Sequence, residues 1–337
     1  MQEQIARFIN RALDITYFPG CERLRLAHRR GRVACLVYHR VVSPSNDPYS
    51  FVTCGGVPAI DPDELASDLA YLEGNGALFL TFDDLRSGRF PSERETGIIV
   101  AFDDCFYDNY THGIEVLSTL GIKAVFFQTT GLVDAQELIW EHQLYWYSRN
   151  DQVTTRVLRH ANAVLASRGL ASINHQTDVV HTLRERIPFA ITVDILKEAS
   201  VDRALANSMP QLPGRLYPTA DQVRSARRAG HEVGCHGHLH LRRANISADL
   251  FRSDLEQSKS VLTDILGEAP ASYSFPFSNF GLSDVQICRK WFDVVASVER
   301  GRLIERLAER VVTPRFTWPG PAKNSFRKRR WLLTGTI

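Results

Sequence analysis

Beyond residue 30, short apolar runs alternate with amphipathic stretches through most of the chain. Val33 to Tyr38 has the length and composition of a strand buried on both faces. Asp61-Pro62-Asp63-Glu64 then opens a helix, with an N-cap Asp, a Pro at the first turn and a Glu at the third position after the cap. Leu65, Leu69 and Leu72 form its apolar side, and Gly74 can stop it. Ile98 to Phe102 predicts a second strand. A helix follows up to Leu120 with Gly121 as C-cap, and Ile122 to Gln128 predicts a third strand.

The rhythm returns after residue 215. Thr219-Ala220-Asp221-Gln222 is a capping-box start for a helix reaching Ala229, with Gly230 at its end. His231 to Cys235 is the next strand, and Ser247 caps a long helix to Leu266, stopped by Gly267. Ala271 to Phe275, Asp293 to Val298 and Val311 to Trp318 complete the strands. Such alternation implies an α/β fold with a parallel sheet or barrel. Residues 140–215 break the rhythm: they read as mainly helical, with a proline-rich exit at Pro210, Pro213 and Pro218. We therefore expect a helical insertion within a barrel spanning residues 33–318. Residues 1–32 are expected to form a helical extension, with Ile5, Phe8, Ile9, Leu13 and Ile15 on one side. Residues 319–337 read as a basic tail containing Arg327-Lys328-Arg329-Arg330.

Composition narrows the classes. A 337-residue chain with 44% hydrophobic residues can bury one large barrel core. The net charge of +2 gives no reason to expect a nucleic-acid partner. No run of eighteen apolar residues and no signal-peptide core occur, so a cytoplasmic location is expected. The N-terminal helix and the basic tail leave contact with a membrane surface open. The six cysteines show no CxxC pairing, and Cys35 and Cys235 lie in apolar runs, as buried free thiols do. Nothing in the pattern signals an oligomeric state.

Two strings carry chemistry. Ala101-Phe102-Asp103-Asp104 ends an apolar run with adjacent carboxylates, and His231-Glu232-Val233-Gly234-Cys235-His236-Gly237-His238-Leu239-His240 spaces His236 and His240 four residues apart. One carboxylate and two imidazoles suit a divalent metal, and the second carboxylate is left as a base. Zinc is the default ion for such a set; cobalt, nickel or iron also fit. Both strings follow predicted strands, at the ends where barrel active sites lie. Neighbouring side chains on a strand face opposite ways, so Asp103 and Asp104 share a site only if the backbone turns there. On a helical turn His236 and His240 would share a face, with His238 pointing elsewhere. Each string alone is weak: Asp-Asp usually caps a helix, and HxxxH pairs arise by chance.

The order of these strings resembles the polysaccharide deacetylases, the NodB-homology enzymes of carbohydrate esterase family 4. The resemblance rests on Val33-Ala34-Cys35-Leu36-Val37-Tyr38-His39-Arg40-Val41, the two strings above, and Ser274-Phe275-Pro276-Phe277, across residues 33–318. It implies a distorted TIM-like (β/α) barrel of seven units. It also implies removal of acetyl groups, mostly N-linked and in some members O-linked, from a glycan or amino-sugar substrate. Carried over by position, Asp104, His236 and His240 are metal ligands and Asp103 is the general base. Ser274 to Phe277 matches a substrate-groove motif that reads Arg-x-Pro-Phe or Arg-x-Pro-Tyr in many members. Cys105, Tyr107, Pro276, Phe277 and Arg315 are the expected substrate contacts, with a backbone N–H near Cys105 stabilising the oxyanion. Phe106 and Trp318 are further aromatics that could stack on sugar. His39, ending the first strand, is the first candidate for general acid.

The chain departs from that pattern in places. Cys105 stands where the family has Gly, and Gly237 where Ser or Thr supports the site. Ser274 replaces the Arg that orients the catalytic Asp, and no histidine follows His240, although Arg315 lies near the usual late position. These departures keep two alternatives in view: a catalytically silent glycan-binding module, and a hydrolase of another small amide. Thr81-Phe82-Asp83-Asp84 matches the family's first motif by letters, but Leu85-Arg86-Ser87-Gly88 follows it instead of a run leading into a helix. With no export signal, the expected substrate is a cytoplasmic or lipid-linked precursor.

Overall fold

The computed structural model describes residues 31–52, 54, 57, 59–175, 179–207, 215–298, 304 and 313–317. The N-terminal extension, the basic tail and Trp318 lie outside the described residues. Among the described residues, eight parallel strands form one sheet: β1 (Val33–Tyr38), β2 (Ala77–Leu80), β3 (Thr96–Phe102), β4 (Val125–Gln128), β5 (Glu232–Cys235), β6 (Ser272–Ser274), β7 (Val294–Val298) and β8 (Thr313–Thr317). β1 pairs along its whole length with β3, from Val33 against Gly97 to Tyr38 against Phe102. It also pairs with β8 through Leu36 and Phe316. The strand ladder β1-β3-β4-β5-β6-β7-β8-β1 therefore closes, giving the seven-membered ring expected.

β2 is the addition. It takes the first half of the outer edge of β3, with Leu80 opposite Ile99, while β4 takes the far half at Ala101 and Phe102. The sequence hides this strand because it is four residues long and follows Gly74-Asn75-Gly76. That triplet is the tight exit of the Pro62–Gly74 helix, and Gly76 adopts a φ of 84° there.

Period-two alternation builds two cores. Val33, Cys35, Val37, Ile99, Ala101, Val125, Phe127, Val294 and Ala296 pack together from facing strands and fill the ring. Ala34, Leu36, Ile98, Val100, Phe102 and Phe126 face outward onto helix residues such as Leu65, Leu69, Leu117, Val223 and Leu255. The expected helices form at Pro62–Gly74, Ala220–Arg228 and Ala248–Leu266. Asp61 and Ser247 cap the first and last, and a Thr219–Gln222 capping box opens the second. Residues 140–206 form the helices Trp140–Tyr147, Asp151–Ser167, Val179–Glu185, Phe189–Ser200 and Arg203–Ala206, around their own apolar cluster of Leu144, Val157, Leu183 and Ile195. Cys35, Cys105, Cys235 and Cys288 are buried free thiols. Among the described residues no helix is long and apolar enough to cross a membrane.

Candidate active site

β3 ends at Phe102, and the backbone turns immediately into the left-handed region, with φ of 63° at Asp104 and 61° at Cys105. That turn overrides strand alternation, so both carboxylates enter one cleft. Non-glycine residues pay for such angles, and the surroundings must hold them. Here Thr129 N–H donates to Asp104 O at 3.1 Å, and Cys105 N–H closes onto Asp103 O at 2.7 Å.

The histidine string is not helical. After β5 it runs as an irregular loop with φ of 77° at Gly237 and 53° at His240, which corrects the one-helical-turn expectation. His236 and His240 converge through these turns instead of through a shared helix face. The loop is clamped from two sides. Thr130 and Gly131 N–H groups donate to Gly237 and His238 carbonyls at 3.0 and 2.8 Å. Asp254, on the Ala248–Leu266 helix, accepts from the N–H groups of His238 and Leu239 at 3.0 and 2.8 Å. A Cβ at Gly237 would sit 2.7 Å from Asp254 Oδ2. Glycine at this position therefore does not loosen the site: Asp254 occupies the space and supplies the support. Gly237→Ala should cost about 1–3 kcal/mol of stability, combining left-handed strain with that clash. Thermal unfolding checks this, and an unchanged midpoint would refute the clamp.

Asp104, His236 and His240 offer ligand atoms that all lie within 4.8 Å of one another, and all three residues are buried. Their protonation pattern suits a cation. His236 Nδ1 lies 2.9 Å from the Ser274 carbonyl, which can only accept, so Nδ1 carries the proton and Nε2 the lone pair. His240 Nδ1 lies 2.7 Å from Glu141 Oε2 with the same consequence. Both Nε2 atoms face Asp104 Oδ1, at 3.3 and 3.0 Å. That oxygen is buried and makes no hydrogen bond among the described residues. Three electron-pair donors thus converge on one point, an arrangement that a divalent ion stabilises and an empty apolar pocket would not. Burial alone would depress His240, but the Asp104 and Glu141 carboxylates lift it to about 10, so without an ion Nε2 also carries a proton, and a bound cation displaces that proton and takes up the lone pair. Burial raises Asp104, yet His240 and His236 outweigh it and hold the carboxyl well below the usual range. Glu141 orients His240 in the way carboxylates orient metal-binding imidazoles, so Glu141→Gln should weaken metal affinity about 10–100-fold. Competition titration with a chromogenic chelator reads this; an unchanged affinity would remove Glu141 from the site.

Asp103 is held by Arg315 on β8, whose Nη1 and Nη2 donate to Oδ1 and Oδ2 at 2.6 and 2.9 Å. Arg315 also donates to Ser274 Oγ and is fully buried at 0% exposure. It cannot touch substrate, so the expected substrate contact is corrected to a residue that positions Asp103. It also explains Ser274: a small side chain on β6 leaves room for a guanidinium arriving from β8, and the missing Arg is replaced in space. Burial pushes Asp103 up, but Arg315 and the nearby imidazoles dominate and hold it below the ordinary carboxylate value.

The cleft of about 370 Å³ above these groups is lined by His39, Asp103, Asp104, His236 and His240, together with Phe277, Arg184 and Arg242. Cys105, Tyr107 and Pro276 do not line it. Cys105 is buried, its thiol donates to Phe102 O at 3.4 Å, and its N–H is committed to Asp103 O, so it offers no oxyanion donor. Tyr107 is half-buried, with its N–H on Leu216 O at 3.0 Å, and Pro276 and Phe106 are buried. Phe277 is the one expected substrate contact in the cleft. It has a φ of 55°, and its ring centroid lies 4.6 Å from that of His240. His39 Nδ1 is buried without a hydrogen-bond partner among the described residues, and burial lowers its pKa. Asp83 and Asp84 lie elsewhere: Asp84 closes a capping box on Thr81, and Asp83 pairs with Arg227 at 2.7 Å.

Four groups escape motif reading: Glu141, Asp254, Arg184 and Arg242. Glu141 and Asp254 each left a trace, a carboxylate on the apolar side of a helix beside Leu144 and Tyr145, or beside Phe251 and Leu255.

A parallel barrel with an arginine-held carboxylate and an Asp-His-His cluster at its strand ends belongs to the class of barrel hydrolases. Residues 73–291 match the family model described as "Polysaccharide deacetylase", and the chain belongs to that family. It is a hydrolase of the deacetylase type. Among solved structures, it is similar to IcaB from Ammonifex degensii, with 17% identity, a TM-score of 0.54, and coverage of 91% of this chain and 97% of that one. It is also similar to the Streptococcus pyogenes deacetylase PplD in complex with acetate, with 14% identity, a TM-score of 0.55, and coverage of 91% and 98%. A de-N-acetylase from Aggregatibacter actinomycetemcomitans matches at 14% identity and a TM-score of 0.53, covering 89% and 98%. At these identities the likeness establishes the fold. No curated protein sequence matches this chain.

Proposed function

We propose that the protein is a divalent-metal-dependent deacetylase that removes the N-acetyl group from an amino sugar, in a glycan or on a lipid-linked precursor. The observation that carries this reading is the convergence of Asp104 Oδ1 with the two Nε2 atoms whose Nδ1 partners are acceptors. An ion held by Asp104, His236 and His240, zinc by donor chemistry, would polarise the acetyl carbonyl and acidify water. Asp103 takes the proton from the attacking water. Arg315 keeps Asp103 ionised and fixes both its oxygens, so the base enters each cycle in one orientation. The Cys105 N–H is already bonded, so the backbone turn contributes no oxyanion donor. His39 faces the same cleft but rests neutral, which suits hydrogen bonding to the reacting group better than proton release. Asp103, protonated in the first step, is then the group that returns a proton to the leaving nitrogen.

A silent binding module has no use for a buried carboxylate gripped by arginine beside three converging ligands; such groups cost stability unless a charge or a proton passes there. The proposal is tested by metal stoichiometry. Wild type should bind one zinc per chain, and Asp104→Ala or His236→Ala should bind none while remaining folded. Equal binding by the variants would refute the assignment.

A further inference from the structure

Beside the Asp-His-His cluster the cleft has a charged wall of Arg184, Arg242 and Glu185, and nothing in the deacetylation chemistry requires it. Arg184 comes from the Val179–Glu185 helix of the insertion and Arg242 from the loop just beyond His240. Both guanidiniums lie over the Phe277 ring, at 5.6 and 6.0 Å from its centroid. The same ring abuts His240, so the wall stands directly beside the reacting position. The two arginines share one carboxylate, Glu185: Arg184 Nη2 reaches its Oε1 at 2.6 Å, and Arg242 Nη1 contacts its Oε2. Arg184 is further occupied by Tyr145 and by Glu141 at 3.4 Å. Arg242 is not saturated. Its Nε is buried and has no hydrogen-bond partner among the described residues. The Arg242 side chain is 27% exposed and lines the cleft beside the aromatic ring, and an unpaired buried N–H on it is costly to leave empty. It is also the geometry in which arginine takes a carboxylate or phosphate oxygen.

We propose that Arg242, braced by Glu185 and Phe277, forms an anion subsite beside the reacting acetamide. The preferred substrate is then an acetylated amino sugar bearing a negative group, a sugar phosphate or a sugar carboxylate. This inference rests on the deacetylase reading and narrows its substrate class. The insertion supplies Glu185 and Arg184, so it tunes substrate choice through residues placed outside the barrel strands.

The test measures dissociation constants for zinc-supplemented full chain carrying Asp103→Asn. Three probes are used: neutral N-acetylglucosamine, its phosphate ester, and the corresponding uronic acid. One or both anionic sugars should bind about 10–100-fold tighter than the neutral one. That preference should weaken at high salt. Arg242→Gln should abolish it and Arg242→Lys should keep part of it, with melting temperature confirming that both fold. Preference for the phosphate or for the uronic acid identifies which anion the site takes. Equal affinity for all three probes overturns the proposal, as does a preference that survives in Arg242→Gln, which would place the anion on the metal. Acetate release by the wild type is followed in parallel. Anion preference without acetate release from any probe would uphold the subsite and count against the deacetylation reading.

Discussion

Asp103→Asn should lower turnover about 10²–10⁴-fold while leaving metal binding intact, and should also lower stability, because the buried Arg315 loses its counter-charge. The side chain keeps its shape, so Arg315 can still donate to the remaining amide oxygen, but no proton acceptor of carboxylate strength is left facing the cleft. The loss should fall on kcat, because Asp103 acts on the attacking water rather than on binding of the sugar. Loss of metal in the same variant would reassign Asp103 as a ligand. Near-normal turnover would remove it from the reaction altogether.

Arg315→Met should have the second large effect, on both stability and pH dependence. Both partners of the Arg315–Asp103 pair are buried, at 0% and 4% exposure, so removing the cation leaves a carboxylate uncompensated in the barrel interior. Such single deletions cost about 3–5 kcal/mol. The sign of the pH effect follows from the pair. In the wild type Asp103 is held below its ordinary value, so its contribution is present above the unfolded value and is lost as pH falls through the folded one. Without Arg315, burial becomes the dominant influence and raises Asp103. The acid limb of the pH–rate profile should therefore move to higher pH, and destabilisation should be greatest where Asp103 is ionised. A profile with an unshifted acid limb would show that Arg315 does not set the charge of Asp103.

How far the sequence led depends on what kind of signal each feature leaves. The seven ring strands and the capped helices were legible because burial on two faces and helix capping are local requirements written in adjacent residues. The ring strand β4 begins at Val125, three residues later than the apolar run suggests, because Ile122 packs against the helix layer before the ladder starts. β2 was missed because a four-residue strand after Gly74-Asn75-Gly76 reads as a turn. Asp103, Asp104, His236 and His240 were found as a set, although the reason for the histidine spacing was wrong. The convergence depends on positive φ at Gly237 and His240, which a helical-spacing argument does not foresee. Arg315 was singled out because it lies near the position of the family's late histidine, but was given the wrong task. Its reach to Asp103 depends on the closure of β8 onto β1, a contact across 212 residues of sequence. Glu141 illustrates the same limit: a group recruited from an insertion has no fixed spacing from the motif it serves.

The proposed deacetylase works through an ion bound at Asp104, His236 and His240, with Asp103 as its base. The most direct measurement is acetate release from N-acetylated sugar substrates by chelator-stripped protein before and after zinc is restored, beside Asp103→Asn. The expected result is no release from the stripped protein, recovery with one equivalent of zinc, and loss of that recovery in the variant. Release that persists after stripping, or a fully zinc-loaded wild type that frees no acetate from either neutral or anionic acetylated sugars, would contradict it.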